Sequence, residues 1–355
     1  MSTAVIAADV LARLAEHKLQ FSQAQPFSHI VIDNFLDPAF CEALLQEFPG
    51  FDRDLARNEN GEIGRKAVHQ HISRLGPAYR TLDQAVQSSE FLDYVGELTS
   101  IPKLLHDPDY FGGGTHENLE GQDLDAHVDF TFHPKLKAHR RLNLIVYLNK
   151  EWSPEWGGNI QFHRNPRLEP QEDEIITVEP LFNRAVVFET HNHSWHGFER
   201  IALPDERKEL SRKSVALYFY TREREVPIKP HSTIYVERHL STVFKSGRTL
   251  DDDDVNYLKV LLKRRDKHLE RLYGYITNLM QEVEHHRRQD SLRALEIEDL
   301  RQQHNLYASY DRDALTNRII ELENSTSWRL TAPLRWTKTL LMRIRRRLAR
   351  MFRQT

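Results

Sequence analysis

The chain reads as a mainly β core with supporting N-terminal helices, followed by an α-helical coiled-coil tail. Three observations predict this. Between about residues 104 and 224, short apolar runs rich in β-branched and aromatic residues follow one another, punctuated by glycines. Such strands without alternating helices favour a sandwich or barrel over a doubly wound sheet. From Val255 onward the apolar residues fall on a 3-4 heptad frame amid many charges. With 355 residues, one domain plus an appendage is expected. The predicted divisions are 1–100 as N-terminal support, 101–250 as the β core, 255–323 as coiled coil and 324–355 as a basic amphipathic helix.

In chain order, residues 4–17 suggest a short amphipathic helix around Val10, Leu11 and Leu14. His29 to Asp33 reads as a strand. Asp37 is an expected N-cap, with Pro38 at the first helical position, for a helix carrying Leu44, Leu45 and Phe48. Residues 51–66 are polar and read as a loop, with helical segments up to about Leu98. The clearest strands are Leu142 to Leu148, Ile175 to Val178, Ala185 to Phe188 and Val215 to Tyr220; Gly112-Gly113-Gly114 and Gly157-Gly158 read as turns.

Leu262, Leu269, Leu272, Ile276, Leu279, Val283, Ile297 and Leu300 share the heptad frame, but Arg265, His286, Asp290 and Arg293 fall on it too, and Gly274 sits inside. The expectation is an interrupted coiled coil, as one helix or two, mediating homo-oligomer formation; a solvated helical hairpin is the alternative. From Pro333 to Thr355, Leu334, Leu341, Ile344, Leu348, Met351 and Phe352 form one stripe flanked by eight arginines and lysines. A helix of this kind can lie in an anionic membrane interface; docking on the coiled coil is the plainer reading.

The formal charge of -3 gives no reason to expect a nucleic-acid partner. Cys41 is the single cysteine, which excludes an internal disulfide and a cysteine-rich metal site. No stretch approaches the roughly 20 apolar residues that span a bilayer, and the N-terminus lacks a secretory pattern. A cytoplasmic location is expected, with the tail peripheral on the membrane face.

The chemistry concentrates in His127-Val128-Asp129, His196 and Arg212-Lys213-Ser214. Residues i and i+2 of a strand share a face, so His127 and Asp129 can bind one metal without bending the chain. Two imidazoles and one carboxylate suit one face of an iron(II) octahedron, leaving the other face open. Among 19 histidines a lone H-x-D would be unremarkable; the ordered context gives it weight. His196 follows the strand ending at Phe188, and Gly197 beside it would let backbone approach the metal; His191 and His193 are rivals of the same type. Arg212 can grip a carboxylate bidentately, Ser214 on the same face can add a hydroxyl, and Tyr147 can supply another hydrogen bond. Alternation puts Lys213 on the opposite face. Asn143, Gln161 and His163 are candidates to line the pocket.

The stretch Asp125 to Tyr220 resembles the iron(II)/2-oxoglutarate-dependent dioxygenase superfamily, in its bacterial prolyl 4-hydroxylase-like branch. The matching residues are H-V-D at 127–129, Tyr147 to Trp152, Gly157-Gly158, Pro180, the histidine-glycine at 196–197 and R-x-S at 212–214. The resemblance implies a double-stranded β-helix (a cupin-like jelly-roll), with His127, Asp129 and His196 as iron ligands. It implies Arg212 as the anchor of the 2-oxoglutarate carboxylate, assisted by Tyr147. The cofactors implied are Fe(II), 2-oxoglutarate and O2, with ascorbate as an accessory reductant where one is needed. The reaction implied is hydroxylation of an unactivated C–H bond, with succinate and CO2 as co-products. The step from His196 to Arg212 is longer than the family's, because 203–208 is inserted; Arg207 and Lys213 are thus rivals for the carboxylate.

The resemblance leaves the substrate open between a proline-containing peptide and a glycan. Residues 324–335 are similar to a segment that follows coiled coils in bacterial surface-polysaccharide enzymes, which points to a cell-envelope glycan or lipid-linked intermediate. Two readings of other classes compete: a catalytically silent jelly-roll scaffold, and a metal-dependent lyase or isomerase on a cupin-like barrel with no use for Arg212.

Overall fold

The computed structural model describes residues 5–52, 54–56, 67–237, 244 and 246–351. They fall into two units, Met1–Arg248 and Thr249–Thr355. The expected loop at 51–66 lies largely outside the described residues, as do Phe352 and Arg353.

The first unit runs α1 (Ala8–Ala12), α2 (Leu14–Gln23), β1 (His29–Ile32), α3 (Pro38–Gln46), β2 (Ala67–His69), α4 (Pro77–Gln87), α5 (Ser89–Thr99), β3 (Leu105–His106), β4 (Gly114–Asn118), β5 (Leu124–Val128), β6 (Phe132–His133), β7 (Ala138–Tyr147), β8 (Ile160–His163), β9 (Ile175–Val178), β10 (Ala185–Glu189), β11 (Trp195–Phe198), β12 (Arg212–Thr221) and β13 (Ile234–Tyr235). The single helix expected over 4–17 is two, broken at Arg13. The α3 start is as expected, with the Asp37 carboxylate accepting from the Phe40 N–H at 3.0 Å. The strand β2 lies where only helices were expected, because its pairing with β4 is non-local.

Two antiparallel sheets face one another as a jelly-roll. The larger has the order β1-β10-β7-β12-β4-β2, with β3 on β12 and β6 on β7; the smaller has the order β13-β5-β11-β8-β9. Alternation divides each long strand of the larger sheet. Leu142, Leu144 and Val146 of β7, with Val215, Leu217 and Phe219 of β12, pack outward on Leu82, Phe91, Val95 and Leu98 of the helices. Asn143, Ile145 and Tyr147, with Arg212, Ser214 and Tyr218, therefore point between the sheets. There Tyr147, Val186 and Phe188 meet Ile160 and Phe162 of the smaller sheet. The helices thus cover the back of the larger sheet and leave its inner face for chemistry.

The second unit is α6 (Asp252–Asn324), α7 (Thr326–Leu330) and α8 (Ala332–Met351). The tail expected as one or two helices over 255–323 is a single helix of 73 residues, passing Gly274 without a break. It starts before Val255 because Asp251 and Asp254 form a capping box. Ser325 then breaks the helix and caps α7, accepting from the Trp328 N–H at 3.3 Å. The single helix expected over 324–355 is accordingly two. Among the described residues, no helix is long and apolar enough to cross a membrane.

Candidate active site

β5 and β11 pair so that His196 lies directly opposite His127, and their rings stand 4.3 Å apart. Asp129 follows β5 and turns its carboxylate between them. His127 Nε2 lies 3.8 Å from Asp129 Oδ1, and His196 Nε2 lies 3.6 Å from Asp129 Oδ2. All three ligand atoms fall within 4.8 Å of one another, the one such cluster among the described residues.

The protonation of the two histidines follows from their backs. His127 Nδ1 sits 3.0 Å from the Asp125 carbonyl, and His196 Nδ1 sits 2.9 Å from the Ser194 carbonyl. A carbonyl only accepts, so each Nδ1 carries the proton and each Nε2 presents its lone pair to the centre. Burial pulls the His196 imidazole below its ordinary value, against the opposing charge of Asp129. Two neutral imidazoles and one carboxylate with convergent lone pairs fit a divalent iron ion.

Asp129 is held by two neighbours. The Asn143 amide donates to Oδ2 at 2.8 Å, and the Arg140 guanidinium lies 3.1 Å from the same oxygen. Arg140 also donates to Asn143 Oδ1 at 3.0 and 2.7 Å and lies 3.6 Å from the centre of the Tyr218 ring. Burial alone would raise the Asp129 carboxyl; Arg140, the two imidazoles and Asn143 outweigh it and hold the group well below the usual carboxylate range. It is a permanent anion, as a ligand requires.

Arg212 enters from the first position of β12. Its Nε donates to the Gly158 carbonyl at 2.6 Å and its Nη2 to the Tyr147 hydroxyl at 3.1 Å. Its guanidinium lies over the rings of Phe198 and Tyr147. It is 5% exposed, and among the described residues no carboxylate pairs with it. A buried guanidinium with donors still to satisfy is a receptor for an anion. Burial lowers its affinity for protons, with Tyr147 opposing. Tyr147, kept neutral by burial, accepts from Arg212 and retains its own proton to donate. Ser214 lies opposite Tyr147 in the β7–β12 register and is buried. Gly158 adopts φ 69°, and a Cβ there would stand 3.0 Å from Ile201, 3.1 Å from Trp152 and 3.2 Å from Arg212 Cδ, so glycine lets all three side chains close on this turn.

The rivals fall away by position. Arg207 pairs with Glu151 at 3.0 Å on the exposed insertion, and Lys213 faces the other way, 3.4 Å from Glu117. His191 and His193 form a turn in which the His193 N–H donates to His191 Nδ1 at 3.0 Å. Burial pushes His191 down to about 4, while His193 is exposed; neither joins the cluster. The motif Asn149 to Trp152 is scaffold: Asn149 Oδ1 accepts from the Lys213 N–H at 2.7 Å, and Trp152 Nε1 donates to the Gly157 carbonyl at 2.9 Å.

Two expectations need correction. Gly197 serves a strand rather than the metal: a Cβ there would stand 2.6 Å from the Leu124 carbonyl. Of the suggested pocket residues, Asn143 reaches the site, but Gln161 and His163 do not. They alternate with inward Ile160 and Phe162 and line a separate cavity of about 190 Å³ on the outer face of the smaller sheet, where His163 pairs with Asp173 at 2.8 Å. The structure adds Arg140, Tyr218 and Tyr235, whose ring stacks 5.2 Å from His127.

Residues 114–220 match the family model described as the 2OG-Fe(II) oxygenase superfamily. By sequence, the chain is 24% identical over 233 residues to prolyl 3-hydroxylase OGFOD1 of Mus musculus. That alignment takes in 58% of this chain and 36% of the relative, so the chain spans about a third of the curated relative it matches. Similar solved structures include a prolyl hydroxylase from Trichoplax adhaerens in complex with a hypoxia inducible factor peptide fragment (14% identity, 62% of this chain and 96% of that chain, TM-score 0.43). A prolyl 4-hydroxylase of Phytophthora capsici is another (19% identity, 72% and 74% covered, TM-score 0.41).

Proposed function

We propose that residues 114–220, which match the 2OG-Fe(II) oxygenase family model, form such a domain, and that the protein hydroxylates an unactivated C–H bond of a proline-containing substrate. The observation that carries the reading is the pairing of two features in one inter-sheet space. One is the His127–Asp129–His196 face; the other is the buried Arg212 guanidinium whose protein partners are a carbonyl and a phenol. A lyase or a silent scaffold has use for at most the first. His127, Asp129 and His196 would hold Fe(II), and Arg212, with Tyr147 and Ser214, would seat the distal carboxylate of 2-oxoglutarate. When bound, the iron supplies activation of O2 at the expense of 2-oxoglutarate, with succinate and CO2 as co-products.

The chain's own residues supply position and charge. The carbonyls of Asp125 and Ser194 hold the histidine tautomers. Arg140 and Asn143 hold the Asp129 carboxylate in its anionic form and in one orientation. Phe162 and Phe188, packed against His196 and Tyr147, exclude water from the rear of the centre.

Anaerobic titration with Fe(II) and 2-oxoglutarate tests this. We expect a weak visible charge-transfer band that vanishes in His196→Ala and weakens in Arg212→Ala. No band from a folded, iron-loaded chain would move the domain to the lyase or scaffold reading.

Prolyl substrate is favoured by the sequence relative; a cell-envelope glycan or lipid-linked intermediate is favoured instead by the segment 324–335. Product formation on proline peptides against glycans separates the two. We further propose that α6 assembles copies of the chain. In the same reading α8, with Arg335, Lys338, Arg343, Arg345 and Arg346 beside exposed Leu334, Leu341 and Ile344, rests on an anionic cytoplasmic membrane face. Deleting 333–355 should release the protein from anionic vesicles; unchanged binding would refute that contact.

A further inference from the structure

α6 carries its apolar residues in the open. Leu269, Leu272, Ile276, Leu279, Val283, Ile297 and Leu300 are each 49–59% exposed, although they share one heptad frame. That seam needs a second helix, and the charges on it say which way the second helix runs. Over the whole of α6 the charges give no direction, with eight lysines and arginines against eight acids in 252–290 and four against seven in 291–324; the direction is set at the seam itself. The frame places Asp290 and Arg293 at successive seam positions in the middle.

We propose that α6 pairs with α6 of a second copy in antiparallel orientation, on a twofold axis passing between Ser291 and Leu292. This rests on the self-assembly reading above and adds its geometry. In an antiparallel pair each first seam position of a heptad faces the second seam position of the other helix. Centred there, Asp290 faces Arg293 of the second copy, twice by symmetry, and Val283 faces Leu300 and Ile276 faces Tyr307. A parallel, in-register pair would instead stack Asp290 on Asp290 and Arg293 on Arg293 in adjacent layers, the arrangement that charge patterning selects against. Past Leu300 the apolar spacing slips by one residue, to Leu315, Ile319 and Leu322, so the seam is centred on 276–307. The contact is isologous and closes as a dimer.

Cysteine cross-linking of the full chain tests the direction, since Cys41 is buried. The variants are Val283→Cys, Leu300→Cys and both together, with mass in solution measured alongside by light scattering. The antiparallel pair predicts twice the chain mass for all three. It predicts a disulfide-linked dimer on a non-reducing gel for the double variant and for a mixture of the two single variants, and none for Val283→Cys alone. Rapid cross-linking of Val283→Cys alone within a dimer would overturn the direction while leaving assembly standing. Single-chain mass for the unsubstituted protein at all concentrations would overturn both.

Discussion

The two units of this chain use their charged and apolar residues in opposite ways. In the first, Arg140 and Arg212, at 1% and 5% exposure, lie over the rings of Phe130 and Tyr218 and of Tyr147 and Phe198 respectively, and each charge there, Asp129 included, has a partner or a role in receiving one. In the second, large apolar side chains such as Leu279 (59% exposed) and Trp336 (79%) stand in solvent beside the charges. The first unit completes its core within one chain. The second carries an amphipathic surface, which under the assembly proposed above is covered by a second copy. On that reading the difference separates chemistry from assembly along the sequence.

Removing the carboxylate proposed to ligate the metal tests the first side of that contrast hardest. Asp129→Ala should abolish iron loading and 2-oxoglutarate turnover, measured by metal content and succinate release, while leaving the mass in solution unchanged; normal turnover would remove the ligand assignment. Arg140→Ala should come next. It leaves a buried carboxylate without its cation, at a cost of about 3–5 kcal/mol, read as lowered thermal stability of the first unit together with weakened iron binding. Arg140→Ala that unfolds no earlier than the parent would show that Asn143 suffices.

Leu144→Ala and Leu279→Ala make the comparison directly. Leu144 is fully buried between β7 and the helices, so its truncation should cost about 2–5 kcal/mol in chemical denaturation. Leu279→Ala should leave the unfolding of the first unit unchanged and instead weaken association. If Leu279→Ala alters neither, α6 is a solvated spacer. The smallest effect is expected from truncation after Leu250: 2-oxoglutarate consumption should remain within about twofold of the full chain while the assembly is lost, and a large fall would mean that the units work together.

Period-2 patterning made the core strands legible, and the H-x-D and R-x-S pairs needed nothing more than shared faces. The same rule hid Arg140. Counting back from inward Tyr147 and Asn143 puts Arg141 inside and Arg140 outside. A bulge intervenes: Phe219 pairs with Leu142 but Tyr220 pairs with Arg140, leaving Arg141 unmatched, and one extra residue reverses every face beyond it. Gln161 and His163 failed for the opposite reason, since alternation holds on β8 and Phe162 is the inward member. The continuity of α6 through Gly274 is likewise a matter of cost. One glycine in a helix of this length sacrifices only about 1 kcal/mol, which a composition reading tends to overrate.

The hydrogen bonds behind the two histidine ligands carry a consequence of another kind. Each Nδ1 proton goes to the carbonyl of the residue two places earlier, Asp125 for His127 and Ser194 for His196. Main chain, unlike a supporting glutamate or asparagine, is not removed by substitution. The competence of both imidazoles is therefore inherited with the strands, and side chains around them are free to vary in evolution or in a library. A pocket built this way can change its guest without relearning how to keep its metal.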